Sequence, residues 1–226
     1  MKINHEQTKI KLLEITELIK KQNDALNVFN TSKKETLSNE MWAEKAKTDK
    51  VNELWNTYMN GLSETKTTIL ERLETIRELE KANEQILELD VPEFANTLAV
   101  CKSGLLPFDC LENVLKQFAG QRQILLILQR CFSDETYASE FDKYTVDIDS
   151  AVESLIFSVR TLEQSNPYNA AINLQQMFDD IISFGECHGV KFSESERTSG
   201  MENKIEDLEN SDMEQYIQMR NEMKGL

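Results

Sequence analysis

An all-α fold is predicted by two features of the chain, the rarity of turn formers and the length over which apolar residues keep helical spacing. Only 7 glycines and 3 prolines punctuate 226 residues; sheet-rich folds need more turns than these supply. From Leu37 to Leu89 there is no proline and one glycine, Gly61. The stripe Met41, Val51, Leu54, Tyr58, Leu62, Ile69, Leu73, Ile76, Leu79, Ile86 and Leu89 runs through it. The expected architecture is an N-terminal helical hairpin or coiled-coil rod with one very long helix (1–91), a helical bundle (92–192), and a polar linker leading to a terminal amphipathic helix (193–226).

Residues 3–29 predict the first helix, with Ile15, Leu18, Ala25 and Phe29 in a short heptad-like seam that Gln22 interrupts. Asn30, Thr31 and Ser32 break the pattern and are cap candidates for the second helix. That long helix then begins near Glu35–Ser38 and would reach about 80 Å at 1.5 Å per residue. A helix of that length needs a partner, either another part of the chain or a second copy. Trp42, Trp55 and Tyr58 in its first half suit an exposed docking patch, or packing against the first helix or against a second copy. In its second half Ile69, Leu73, Ile76, Leu79, Asn83 and Ile86 form the candidate self-association seam. Its flanking charges pair favourably at spacing three (Glu74 with Arg77, Glu78 with Lys81) and unfavourably at spacing four, so support must come from the seam.

Pro92 suits the first turn of a new helix, in which Phe94, Leu98 and Cys101 share a face and Gly104 is a C-cap. Pro107 opens the next, with Phe108, Leu111, Leu115 and Phe118 apolar and Gly120 ending it. Gln121 to Phe132 is apolar nearly all round and is expected to be the most buried helix. Ser133-Asp134 signals a cap for one helix reaching Gln164. Asn166-Pro167 separates that helix from another ending near Glu186. Ser193 to Gly200 reads as a polar linker. Met201 to Met223 continues the chain as an amphipathic helix whose Ile205, Leu208, Tyr216, Met219 and Met223 are the candidate partner-docking residues.

The net charge of -15 is uneven: residues 1–91 hold 14 basic and 17 acidic side chains, the remainder 11 and 23. Such a surface repels phosphate backbones, so no direct nucleic-acid contact is expected. The longest wholly apolar run, Ile124 to Leu128, is too short to cross a membrane. The first residues lack the apolar core of a signal peptide. Cys101, Cys110, Cys131 and Cys187 are far apart and read as free thiols of a cytoplasmic protein.

Chemistry is sparse. Asp-Ile-Asp at 147–149 begins like a calcium loop but lacks its glycine and terminal glutamate, so the acidic run from Asp134 to Glu153 reads as a solvated face. Cys187 and His188 are adjacent, a poor arrangement for one metal ion, and no Cys-x-x-Cys supports them. No catalytic, cofactor-binding or metal-binding residue is assigned, and no cofactor or enzymatic activity is expected.

The long Glu/Lys-rich helix carries Trp42 and Trp55. It is followed by Leu105-Leu106-Pro107-Phe108, by Val114-Leu115-Lys116-Gln117-Phe118-Ala119-Gly120-Gln121, and by Ile124 to Leu128. Over residues 40–132 this layout resembles small structural proteins encoded by tailed phages and prophages of Gram-positive bacteria. The resemblance implies a scaffolding or virion-assembly role in a bacterial host cell. In that role the rod self-associates as a homo-oligomer and the terminal helix contacts a capsid or portal component. A rival reading, drawn from the acidic second part, is an inhibitor or adaptor that binds a host protein as a nucleic-acid mimic. Acidic residues gathered on one continuous face would favour the mimic; scattered ones would count against it.

Overall fold

A computed structural model describes residues 5–84, 92–162 and 167–201. Among the described residues there are nine helices and no strand: α1 (Glu6–Leu37), α2 (Glu44–Glu84), α3 (Pro92–Ser103), α4 (Phe108–Gln117), α5 (Arg122–Gln129), α6 (Glu135–Thr145), α7 (Ile148–Thr161), α8 (Pro167–Cys187) and α9 (Glu194–Arg197). The all-α expectation holds.

The break between the first two helices lies at residues 38–43 and not at 30–32. Within α1 the Thr31 and Thr36 hydroxyls donate to the carbonyls of Asn27 and Ser32 at 2.9 and 2.8 Å. Back-bonded to their own helix, these side chains do not act as caps for a new one. The chain turns where Asn39 Oδ1 accepts the Met41 N–H at 3.0 Å, a local turn that asparagine favours. Within the described residues α2 runs for 41 residues, about 62 Å, and it begins at Glu44, later than the pattern from Leu37 predicts.

α1, α2, α7 and α8 form a closed ring of contacts, α1 on α2, α2 on α7, α7 on α8 and α8 on α1. Cross-pairs fix their directions. On α1 and α2, Thr8 meets Glu80 and Gln22 meets Thr65. On α2 and α7, Lys66 meets the Arg160 carbonyl, and Arg77 meets Glu153. The numbers rise on one helix as they fall on the other, so both pairs are antiparallel, and the ring is an up-down four-helix bundle. Its core joins Leu12, Ile15, Ile19, Leu26 and Phe29 of α1 with Leu62, Ile69, Leu73 and Ile76 of α2 and with the inner faces of α7 and α8. Residues 1–91 and 92–192 therefore do not divide into a rod and a separate bundle, because both contribute to one core. The α1 seam is also rephased: Ile15 and Phe29 are buried, Leu18 only partly, and Ala25 is exposed. Trp55 and Tyr58 pack on Phe29, with ring centroids 5.1 and 6.3 Å from it, whereas Trp42 stays partly exposed in the turn. Packing against the first helix is thus the role of two of the three aromatic residues.

Helices α3 to α6 are inserted between α2 and α7 and build a second core from Phe94, Cys101, Leu111, Leu115, Phe118, Ile124, Leu125, Leu128 and Phe141. Gly104 and Gly120 end the first two of these helices with φ of 69° and 78°, the left-handed region that glycine enters without steric cost. In α5 only Ile124, Leu125 and Leu128 are buried, while Leu126 and Ile127 are half-buried. The unit has too few layers to cover a helix apolar on all sides.

The single helix expected over 134–164 is split. Val146 is extended, and Asp147 caps α7 by accepting the Ser150 N–H at 3.0 Å and its hydroxyl at 2.8 Å. The same bonds hold the Asp147 carboxyl below its ordinary value of 3.8. Asp147→Ala should therefore lower stability by about 1 kcal/mol, measurable by urea denaturation at pH 7. Because the folded pKa is depressed, that contribution is complete above 3.8 and fades as acid protonates the carboxyl.

The stretch 193–200 is not a free linker. Ser193 and Glu196 form a capping box that starts α9, and Lys9 of α1 and Glu186 of α8 pair with Glu196 and Arg197 at 2.9 and 2.8 Å. The Ser193 backbone N–H and then Lys9 lower the Glu196 carboxyl from its ordinary 4.5 to about 2. The sign is again that of a depressed acid. Its contribution to stability should be complete above about pH 4.5 and be lost as pH falls toward 2. A carboxyl-carbon NMR titration should give Glu196 a midpoint near 2, rising in Lys9→Ala; a midpoint above about 4 in the unaltered chain contradicts this arrangement.

Candidate functional site

The predicted self-association seam is largely interior. Ile69, Leu73 and Ile76 are buried in the bundle core, Leu79 is half-buried, and Asn83 is buried; Ile86 lies outside the described residues. Ile69, Leu73 and Ile76 lie in the core shared with α1, α7 and α8 of the same chain, so they do not offer a second copy a surface. The predicted docking residues Ile205, Leu208, Tyr216, Met219 and Met223 also lie outside the described residues.

Where the seam ends, the apolar side chains give way to a polar junction. Glu80, one turn beyond Ile76, is only 2% exposed. Its Oε1 accepts from the Thr8 hydroxyl and from Asn83 Nδ2 at 3.2 Å, and His5 Nδ1 stands 3.2 Å away. A carboxylate at this depth without such partners would cost several kcal/mol. Beside the His5 ring the inserted unit meets the bundle. Gly120 N–H donates to the Cys187 carbonyl at 3.3 Å. A Cβ at Gly120 would fall 2.5 Å from the His188 oxygen, and one at Gly189 2.5 Å from the Ala119 oxygen. Two glycines therefore let the α4–α5 turn and the end of α8 touch backbone to backbone. The junction fixes the inserted unit on the bundle. Sequence reasoning missed it, although Glu80 falls in the phase of Leu73 and Ile76, where a buried carboxylate is unusual.

A cleft of about 290 Å³ lies between α7 and α8, lined by Lys143, Ser154, Asp180, Ser183, Cys187 and His188 among others. Burial pushes the Cys187 thiol up, against a weaker downward pull from Ser183. His188 Nδ1 lies 2.8 Å from the Phe184 carbonyl, and its ring stacks on Phe184 at 4.3 Å. A raised thiol beside an imidazole tied to backbone is not poised as a nucleophile. Among the described residues no three acidic, histidine or cysteine side chains are grouped as a metal would require.

The acidic run is spent on separate structural tasks. Asp134 and Asp147 cap helices, and Glu140 pairs with Lys143 and Asp142 accepts from Gln129. Asp149 meets Lys81 at 2.7 Å and Glu153 meets Arg77 at 2.6 Å.

Among the described residues two apolar surfaces are the more extended. One is the α3–α4 turn at the edge of the inserted unit, where Val100, Leu105 and Phe108 are 43, 77 and 44% exposed. It is stiffly mounted. Phe108 packs edge-on against Tyr137 with centroids 5.1 Å apart, Phe132 stacks behind at 4.9 Å, and the Tyr137 hydroxyl donates to the Leu106 carbonyl. The other is a groove on the outer side of α1, floored by Ile10, Leu13 and Leu18 and bounded by Thr68 and Arg72 of α2. No helix among the described residues is long and apolar enough to cross a membrane. The arrangement defines a four-helix bundle carrying an inserted helical unit with an apolar edge. Compared with protein-family models, curated proteins and solved structures, the chain matches none of them.

Proposed function

We propose that this chain is a non-enzymatic assembly or adaptor protein of the phage structural type, which works through protein–protein contacts. The bundle is the stem, the glycine junction sets the inserted unit on it, and the apolar turn Leu105–Phe108 is the surface that a partner covers. The observation that carries this reading is the exposure of Leu105 and Phe108 on a rigid aromatic base. Those residues also belong to the segment that resembles phage structural proteins. Exposed apolar and aromatic side chains on a firm support are what binding hot spots are made of. Any self-association that the role requires uses a surface other than Ile69–Asn83. The partner fitting this account is a capsid or portal component, in the cytoplasm of a bacterial host or on the particle. The nucleic-acid mimic is less well supported, since its acidic residues serve caps and ion pairs.

The test is a photo-crosslinking side chain at Leu105 in the full chain, expressed beside the genes that neighbour it, with the same group at Glu112 as control. One protein should dominate the Leu105 adducts, and a Phe108→Glu background should remove it. Adducts equal to the control contradict the proposal. Leu105→Glu itself should leave the thermal midpoint unchanged, because the side chain is mostly in solvent, and should weaken partner binding by about tenfold or more.

A further inference from the structure

We propose that the cleft between α7 and α8 is a binding site for a small organic cation, a primary ammonium with an apolar body. At about 290 Å³ the cleft stands at the small end of ligand cavities, which run from roughly 300 to 1,000 Å³. That size suits a short alkyl ammonium better than a length of peptide. Its lining divides by chemistry: Asp180, Ser154 and Ser183 are polar, and Leu155, Phe184 and Val146 are apolar.

The polar groups are gathered by the pairing of the two helices. Ser154 and Ser158 are four residues apart on α7, and Asp180 and Ser183 three apart on α8, so each pair shares one helix face. The Ser158 hydroxyl donates to Asp180 Oδ2 at 3.5 Å, which sets the two pairs side by side. Gln176 Nε2 donates to Asp180 Oδ1 at 2.8 Å. Both donors are neutral, and no cation among the described residues pairs with this carboxylate. Lys143, which also lines the cleft, is held by Glu140 at 2.8 Å. The charge left uncompensated is that of Asp180, and it attracts a cation.

An ammonium group has three N–H donors, and the cleft offers three acceptors, the Asp180 carboxylate and the hydroxyls of Ser154 and Ser183. A carboxylate in the same place would be repelled by Asp180, and an alcohol would gain no attraction between charges. The apolar body of the ligand lies along Leu155 and Phe184 and reaches Val146. Val146 is the extended residue between α6 and α7, so the occupant touches the joint of the inserted unit with the bundle. This inference goes beyond the proposed function and does not depend on it.

The experiment titrates the nitrogen-15-labelled full-length protein with hexylamine, and separately with hexanoate and with hexanol, while amide shifts are followed by NMR. Hexylamine should give saturable shifts centred on Ser154, Ser183 and Phe184, with hexanoate and hexanol weaker by about tenfold or more. Asp180→Asn should weaken hexylamine by about tenfold while the thermal midpoint of the bundle stays in place. If that midpoint falls, the comparison of the three compounds on the unaltered chain decides alone. No saturable shift up to tens of millimolar, shifts scattered over the surface, hexanol as tight as hexylamine, or binding unchanged by Asp180→Asn would each overturn the proposal.

Discussion

Leu73→Ala is expected to lower the free energy of unfolding by about 3 kcal/mol, with the same urea midpoint at protein concentrations about tenfold apart. Leu73 is fully buried among α1, α7 and α8, so truncation removes packed methyl and methylene groups and leaves a cavity that rigid helices on every side cannot close. The concentration dependence separates two accounts of the residue. As a seam between copies, Leu73 would stabilise an oligomer, and its loss would appear as weaker association with a concentration-dependent midpoint. As part of an intrachain core, its loss appears as an equal destabilisation at every concentration.

Gly120→Ala should cost about 3 kcal/mol, well above the roughly 1 kcal/mol expected for Gly104→Ala. Both glycines have positive φ, 78° and 69°, so both substitutions carry the left-handed strain of an L side chain. They differ in what the added methyl meets. At Gly104 there is nothing within 4 Å, whereas at Gly120 it falls 2.5 Å from the His188 carbonyl oxygen. Backbone cannot rotate away as a side chain would, so the inserted unit must shift off the bundle. The difference between the two variants, read by denaturation, isolates the contact between the units from the turn itself. Equal losses would mean that the junction contributes nothing.

Much of the helical content is legible in the sequence, because apolar spacing and the few glycines and prolines act locally. Pro107, Gly104 and Gly120 bound helices where their stereochemistry says they should. The break before α2 is not legible, since threonine hydroxyls serve either as caps or as back-bonded helix residues and sequence alone does not choose. Asp147 reads as half of a calcium loop, although an aspartate three residues before a serine is also a helix start. The larger difference is topological. Arg77 and Lys81 find Glu153 and Asp149 across the whole inserted unit, and in the sequence these are two unrelated charged stretches. The buried Glu80 is hidden for the same reason, since its donors lie on Thr8 and Asn83, and their convergence exists only after the hairpin closes. The candidate surface is the least legible part. In the sequence Phe108 belongs to an inner face, and Leu105 enters only through a resemblance.

In this fold α2 closes on α7 within one molecule. Lys81 Nζ and Asp149 Oδ1 are 2.7 Å apart, close enough for carbodiimide to join them as an amide without a spacer. An equal mixture of unlabelled and nitrogen-15-labelled protein, treated at micromolar concentration and mapped by mass spectrometry, should give the Lys81–Asp149 link with both peptides of the same isotope. Links that pair one labelled with one unlabelled peptide would show the two helices meeting between copies, and would contradict the account.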